Sequence, residues 1–595
     1  MSKSNKKEVG AITHNNGVSF RVWAPFASSV AVTGSFNNWA HAEMVSENDG
    51  YWATFIDNAQ PGQEYKFVIH NGDSELYKND PRSLQVTTTN GNSVLVANDF
   101  DWGDDTHIPV PFNEQIIYEL HVGTFSRVDA STIGTFDQVI DKLDYLSDLG
   151  INTIELMPIG SMSKDRGWGY ATDYIYAVES LYGGRNGFME FVKQAHLRGI
   201  GVTLDVVYNH IGPDDGLDLW QYDGWSENDK GGIYFYNDWR SETPWGETRP
   251  DYGRHEVRQY ILDNVRMWLK DCRLDGLRLD STIYIRNVKG LNDNPDTDLP
   301  DGWSLLQAIT NLALRINPYA MLIAEDVSGN EYITKPKADG GAGFSTQWEV
   351  NLPSVLHGVL DAVNDSDRSI TAISNALSRY YNGDAFQRVV YSDSHDTAGN
   401  DGGARLSEEI SPGKVDSVFA RKRSLIASAI ILTAPGIPMF LQGQEFMENG
   451  NFNDWKVLDW HKAKKFAGIV LAHKHMIALR RNVYGQTRGL VGQNFTVLHL
   501  NEDAKLLAYH RWDQGGYGDD VVVIINFANQ IQKDYVVNFP RPGIWQVRFN
   551  SDWKGYSQDF KDVGIDKVDI NEVSGSIEIG PYAVLILSQD KNPEA

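Results

Sequence analysis

A chain of 595 residues has room for roughly three or four domains, and 79 acidic against 53 basic side chains give a net charge of −26. That balance argues against a polyanion partner such as nucleic acid or an acidic membrane surface and suits a neutral substrate. Hydrophobic residues at 41% and charged ones at 22% are those of a globular protein with a large core, and the single Cys272 has no partner for an internal disulfide. In chain order, Met1-Ser2-Lys3-Ser4-Asn5-Lys6-Lys7 lacks the apolar stretch of a signal peptide, so a cytoplasmic location is expected. Residues 1–108 carry short alternating runs, Val18-Ser19-Phe20-Arg21-Val22-Trp23 and Tyr65-Lys66-Phe67-Val68-Ile69, broken by turn clusters, which predicts a β-sandwich.

From Ile116 strand-like runs alternate with helical spacing. Candidate strands are 116–121, 152–157, 201–207, 276–280, 321–325, 343–348, 388–394 and 437–441. Between them Val257, Ile261, Val265 and Trp268 recur at helical intervals, so a (β/α)8 barrel is expected over residues 109–485. A non-periodic stretch rich in Gly, Asp, Trp and Tyr, 211–252, reads as an inserted loop subdomain over the exit of the third strand. The longest apolar run, Ser424 to Leu441, contains Pro435, Gly436 and Pro438, and is expected to be a buried helix, a turn and a buried strand rather than a membrane span. Residues 486–595 return to β-branched runs, such as Val521-Val522-Val523-Ile524-Ile525, and predict a second β-sandwich. The fold class is α/β, a barrel flanked by two β-sandwiches.

Four acids end barrel-strand runs: Asp205, Asp280 in Gly276-Leu277-Arg278-Leu279-Asp280, Glu325, and Asp396 after His395. A parallel barrel delivers such residues to one mouth. Cleaving an acetal needs a carboxylate nucleophile and a carboxylic acid to protonate the leaving oxygen. Asp280 is assigned as nucleophile, kept ionised by Arg278 two residues earlier, and Glu325 as acid/base with a pKa raised by Asp280, Asp396 and a dry cleft. Asp396 with His395 is expected to hold sugar hydroxyls. The 17 Trp and 27 Tyr supply flat faces for stacking on sugar rings.

The runs Asp205-Val206-Val207-Tyr208-Asn209-His210, Gly276-Leu277-Arg278-Leu279-Asp280, Ala324-Glu325 and Ser394-His395-Asp396 together resemble the four signature regions of the α-amylase superfamily, glycoside hydrolase family 13. The resemblance implies an α-retaining double displacement on α-1,4-glucan, with Asp280, Glu325 and Asp396 in the roles just argued and with Asp205, Asn209 and His210 shaping the cleft. Trp168-Gly169-Tyr170 looks like the family segment whose tyrosine stacks under the reacting sugar. Phe20-Arg21-Val22-Trp23-Ala24-Pro25 and Gly34-Ser35-Phe36-Asn37-Asn38-Trp39 look like carbohydrate-binding module family 48.

Within the family, Gly443-Gln444-Glu445-Phe446 with Trp455 and Leu458-Asp459-Trp460 is similar to glycogen branching enzymes, which pass a cleaved chain to a 6-hydroxyl. Thr243-Pro244-Trp245-Gly246 resembles malto-oligosyltrehalose trehalohydrolases. Ser281 stands where alanine is usual after the nucleophile, and Thr397 where branching enzymes usually carry Glu. A third alternative, a glycan-binding protein on a dead barrel, sits badly with the survival of all three acids. No cofactor is expected, and the acidic run Asp293 to Asp298 lacks the spacing of an EF-hand loop, so no metal is assigned.

Overall fold

The structure, a computed structural model, describes residues 8–88, 90–105, 109–129, 131–162, 167–212 and 217–591. The reading of Met1 to Lys7 lies outside them. Eight strands, Ile117–Leu120, Thr153–Leu156, Gly201–Val206, Gly276–Leu279, Met321–Ala324, Thr346–Trp348, Arg388–Val390 and Ile437–Leu441, close into a parallel barrel, the first pairing with both the second and the eighth. Every expected barrel strand is present. Most are shorter than their apolar runs, because the last residues of those runs leave the ladder at the barrel mouth. Asp280 and Glu325 are two such residues, each just beyond its strand.

The register sets what faces the barrel interior. Glu119 lies opposite Glu155 and Glu155 opposite Thr203, while Asp205, Arg278, Ile323 and Thr346 follow one another across four strands. The first four strands therefore bring in a polar wedge. The other side is apolar, with Met321, Ile323, Trp348, Val389 and Met439 in one buried cluster. Outside, helices cover the strands with one apolar stripe each: His255–Arg266 buries Val257, Tyr260, Ile261 and Val265, and Pro300–Ile316 opens with the proline that suits a first turn. That second helix comes so near the turn after the fourth strand that a Cβ on Gly302 would sit 1.7 Å from the Ile285 carbonyl oxygen. The Ser424 to Leu441 run resolves into the end of helix Val418–Thr433, a Pro-Gly turn and strand Ile437–Leu441. No helix among the described residues is long and apolar enough to cross a membrane.

At the N-terminal side a four-stranded sheet built on Gly17–Trp23 and Tyr51–Asp57 packs on a second sheet built on Ser29–Gly34 and Glu64–Asn71, with Phe20 set edge-on against Tyr65 and Phe67 between them. At the C-terminal side a six-stranded sheet carries Val521–Asn526 and Ala583–Ser588 at its centre, beside a two-stranded one.

The inserted stretch has an interior of its own. Its described residues form single turns at Gly232–Tyr234 and Trp239–Ser241 and bury Tyr222, Ile233, Phe235 and Tyr236. Residues 213–216 of it lie outside the described set. One face joins the N-terminal sheets: Asp223 accepts from the Phe26 amide at 2.9 Å, Lys78 donates to the Trp220 carbonyl at 3.1 Å, and Phe26 stacks on Trp225 at 4.4 Å. The stretch lacks periodicity because it fills a seam between two domains rather than forming an element of its own.

Candidate active site

Arg278 organises the barrel mouth. Its side chain is fully buried, its guanidinium lies 4.4 Å over the Trp348 ring, and its Nη1 donates to Asp205 at 2.6 Å and to Asp280 at 2.8 Å. Its Nη2 stands 3.1 Å from Glu325 Oε2. One planar cation thus holds three carboxyls from three successive strands, a geometry that a lysine point charge would not give. Asn209 Nδ2 donates to the other Asp280 oxygen at 2.6 Å. Ser281, next along, adopts a left-handed backbone with φ 43°, costly for a residue with a Cβ, and its amide donates to Glu325 at 2.8 Å. The turn that ends the fourth strand therefore fixes the acid on the fifth.

Burial pushes Asp280 up to about 6 against the pull of Arg278, and pushes Glu325 up to about 7, with the charges of Asp280 and Asp396 adding to it. The expectation that Asp280 stays low beside the arginine is corrected: the guanidinium is shared among three acids, so it does not offset the loss of water. Asp396 goes the other way. Burial opposes its charge, but the His395 cation and its hydrogen bond hold the carboxyl at about 2, and Asn400 Nδ2 donates to it at 2.6 Å.

Tyr170 stacks on the His395 ring at 5.1 Å, and its hydroxyl donates to Asp205 at 2.7 Å and meets His395 Nε2 at 2.8 Å. Trp168 meets the same imidazole edge-on at 5.6 Å. His210, which burial lowers to about 4 and keeps neutral, bonds Asn209 and stacks on Trp245 of the insertion at 4.8 Å. Trp245 also meets Tyr284, on the short helix after Asp280, at 5.3 Å. All ten site residues named from the sequence, Trp168, Tyr170, Asp205, Asn209, His210, Arg278, Asp280, Glu325, His395 and Asp396, thus join one network.

Other motifs lie elsewhere. Glu445 is buried against the Tyr118 and Tyr145 hydroxyls at 3.2 and 3.1 Å and braces the first strand, while Trp460 donates to the Phe125 carbonyl at 2.8 Å in the short helix Val122–Phe125 after it. Thr397 closes its own turn, accepting from the Ser394 amide at 2.8 Å. Asp293 and Asp296 are exposed, Asp298 accepts from Asn287, and among the described residues no group of three His, Cys, Asp or Glu side chains could hold a metal ion. Glu119, Glu155, Trp348 and Asn400 escaped the sequence reading. The two glutamates had a signal: each is an acid in the middle of an apolar barrel strand, where a charge needs a partner.

Fold and site can be set beside known proteins. The chain is 32% identical over 464 residues to a malto-oligosyltrehalose trehalohydrolase of Saccharolobus solfataricus, covering 73% of this chain and 75% of that one. It is 28% identical over 571 residues to a 1,4-alpha-glucan branching enzyme of Oceanobacillus iheyensis, covering 90% and 86%. A pullulanase from Anoxybacillus sp. LM18-11, solved with maltotetraose, superposes with a TM-score of 0.76 at 19% identity over 99% of this chain and 88% of that one, which speaks to fold alone. Residues 8–83 match carbohydrate-binding module 48, the isoamylase N-terminal domain, and residues 497–590 the C-terminal all-beta domain of alpha amylase. Between them residues 120–217 and 213–470 match the catalytic domain of alpha amylase, and with Asp280, Glu325 and Asp396 gathered at the mouth of an eight-stranded barrel the chain belongs to the α-amylase family.

Proposed function

We propose that the protein is a retaining 1,4-α-glucan branching enzyme, in which Asp280 attacks the anomeric carbon of an α-1,4-linked glucosyl unit while Glu325 protonates the departing oxygen. The C1–O4 bond breaks, and a glucosyl ester forms on Asp280. A 6-hydroxyl of an acceptor glucan then gives its proton to Glu325 and attacks C1, which releases Asp280 and restores the α configuration. The observation that carries this is the shared Arg278, which aims Asp280 and Glu325 at one place while leaving Glu325 the weaker acid. Asp205, Asn209 and His210 shape the wall, Trp168 and Tyr170 with His395 form the floor, and Asp396 holds hydroxyls of the reacting sugar. The transfer step leans on the branching-enzyme relatives, one of which aligns with 90% of this chain. A cytoplasmic site of action goes with a glucan substrate made inside the cell.

Two observations favour a second reading, hydrolysis of malto-oligosyltrehalose: Trp245, in the loop likened to trehalohydrolases, stacks on His210 beside the site, and the trehalohydrolase relative has the higher identity of the two. Incubation with amylose separates them. Branching makes the iodine colour fade with little rise in reducing ends, and a debranching enzyme then liberates short linear chains. A rise in reducing ends matching the colour loss, with no debranchable chains, rejects branching, and free trehalose from malto-oligosyltrehalose selects the second reading.

A further inference from the structure

Glu119 sits in the first barrel strand, 1% exposed, behind the residues that meet the cleft. Its Oε1 is 2.5 Å from His395 Nδ1, and its Oε2 accepts from the His395 backbone amide at 2.9 Å. On the far side of the ring His395 Nε2 stands 3.2 Å from Asp396 Oδ1 and 2.8 Å from the Tyr170 hydroxyl, which already donates its own hydrogen to Asp205. Each ring nitrogen therefore faces an acceptor. A neutral imidazole carries one N–H and would turn a lone pair toward a carboxylate, so this arrangement requires both nitrogens protonated. We propose that Glu119 is a positioning residue acting through His395: it holds the imidazole doubly protonated, with Nε2–H directed at Asp396 and Tyr170, so that the Asp396 carboxylate meets the substrate charged and in place. The proposal rests on Asp396 contacting the reacting sugar.

The charged and titratable groups around His395 are Glu119 and His121 from the first strand and its end, Glu155 from the second, Tyr170 from the loop after it, Asp205 from the third, Arg278 from the fourth and Asp396 beside it. Of these His121 is kept neutral by burial, at about 4. Glu155, opposite Glu119 in register and 1% exposed, is pushed well up by burial and by the Glu119 charge, and its Oε2 has no hydrogen-bond partner among the described residues. Of the adjacent pair, Glu155 is the neutral acid and Glu119, accepting two N–H groups, the anion.

The test is E119Q, which keeps shape and removes charge. Histidine labelled with nitrogen-15, with the His395 signal assigned by its loss in H395Q, should show a ring that stays doubly protonated in the wild type well above the pH at which an ordinary histidine titrates, and a ring that loses its second proton at lower pH in folded E119Q. Consumption of maltooligosaccharide by any route, a readout indifferent to transfer or hydrolysis, should show kcat down by about 10–100-fold with KM within about threefold. The alkaline limb, which Glu325 sets in the wild type, should steepen in E119Q as loss of the His395 proton removes activity as well, and E119D should recover part of the rate. A His395 that stays doubly protonated in E119Q, with the wild-type pH profile, overturns the proposal. If E119Q does not fold, E119D decides: a cationic His395 with an intermediate rate supports the role, and an unchanged rate and profile removes it. Failure of branching leaves the histidine signal untouched, so the two readings fail separately.

Discussion

Arg278 and the acids around it turn the pH dependence into a narrow window. With Asp280 at about 6 and Glu325 at about 7, the productive form, Asp280 ionised and Glu325 protonated, is most populated between those values. The kcat/KM for maltooligosaccharide should fall below about pH 6 as Asp280 takes a proton, and above about pH 7 as Glu325 loses one. E325Q should lose about 10²–10⁴-fold on glucan yet keep much of its rate on an α-glucosyl fluoride, which needs no proton on its leaving group, and should lose the alkaline limb there. Equal losses on both substrates would take Glu325 out of the acid role. D280N should fold and lose about 10⁴-fold or more on either substrate, since an amide forms no ester. At this scale the chain is most legible: Asp280, Glu325 and Asp396 stand beside distinctive neighbours at strand ends. What one-dimensional reading missed was sharing. That Arg278 serves Asp205, Asp280 and Glu325 at once is a fact of three strands in register, and so is the burial that raises Asp280 against the pull of that arginine.

The eight barrel strands and their helices were legible because period-2 and 3.6-residue patterns are local. The inside of the insertion was less so, because Tyr222, Ile233, Phe235 and Tyr236 are buried there without following a period of their own. The Gln444-Glu445-Phe446 and Trp460 motif shows the same limit: it looks like a branching-enzyme signature, yet Glu445 packs against Tyr118 of the first strand and Trp460 against the short helix after it. Element packing also makes one glycine decisive. Helix Pro300–Ile316 crosses the short helix Thr282–Arg286, which follows directly on Asp280 and Ser281, and Gly302 is where they meet. G302A must push the helices apart, at a cost of about 1–3 kcal/mol, and should lower both the unfolding midpoint and kcat through Ser281, whose amide holds Glu325. A wild-type denaturation curve and rate for G302A would show that the close approach is not maintained in solution.

At the scale of the molecule the N-terminal domain is joined too tightly to be an optional appendage. Tyr260 donates to the Pro81 carbonyl at 3.1 Å, Arg82 donates to Tyr176 at 2.8 Å and pairs with Asp263 at 2.9 Å, and the insertion adds the bonds from Asn71 and Lys78. Removing residues 1–108 should therefore yield insoluble or partly unfolded protein, checked by circular dichroism and sedimentation, rather than an enzyme weakened only on long glucans. A soluble truncated protein that keeps its rate on short maltooligosaccharides would return the domain to a purely glucan-binding part. The seam has a further consequence, in time rather than space. The partners of Phe26, Asn71 and Lys78 lie near residues 220–223, and those of Pro81 and Arg82 near 176–263, so this domain leaves the ribosome well before the surface it docks on. At about 5–20 residues per second the wait is on the order of ten to thirty seconds. For that interval Phe26, Asn71 and Lys78 wait without the partners they meet in the folded chain, so the domain must hold its own fold before the seam exists.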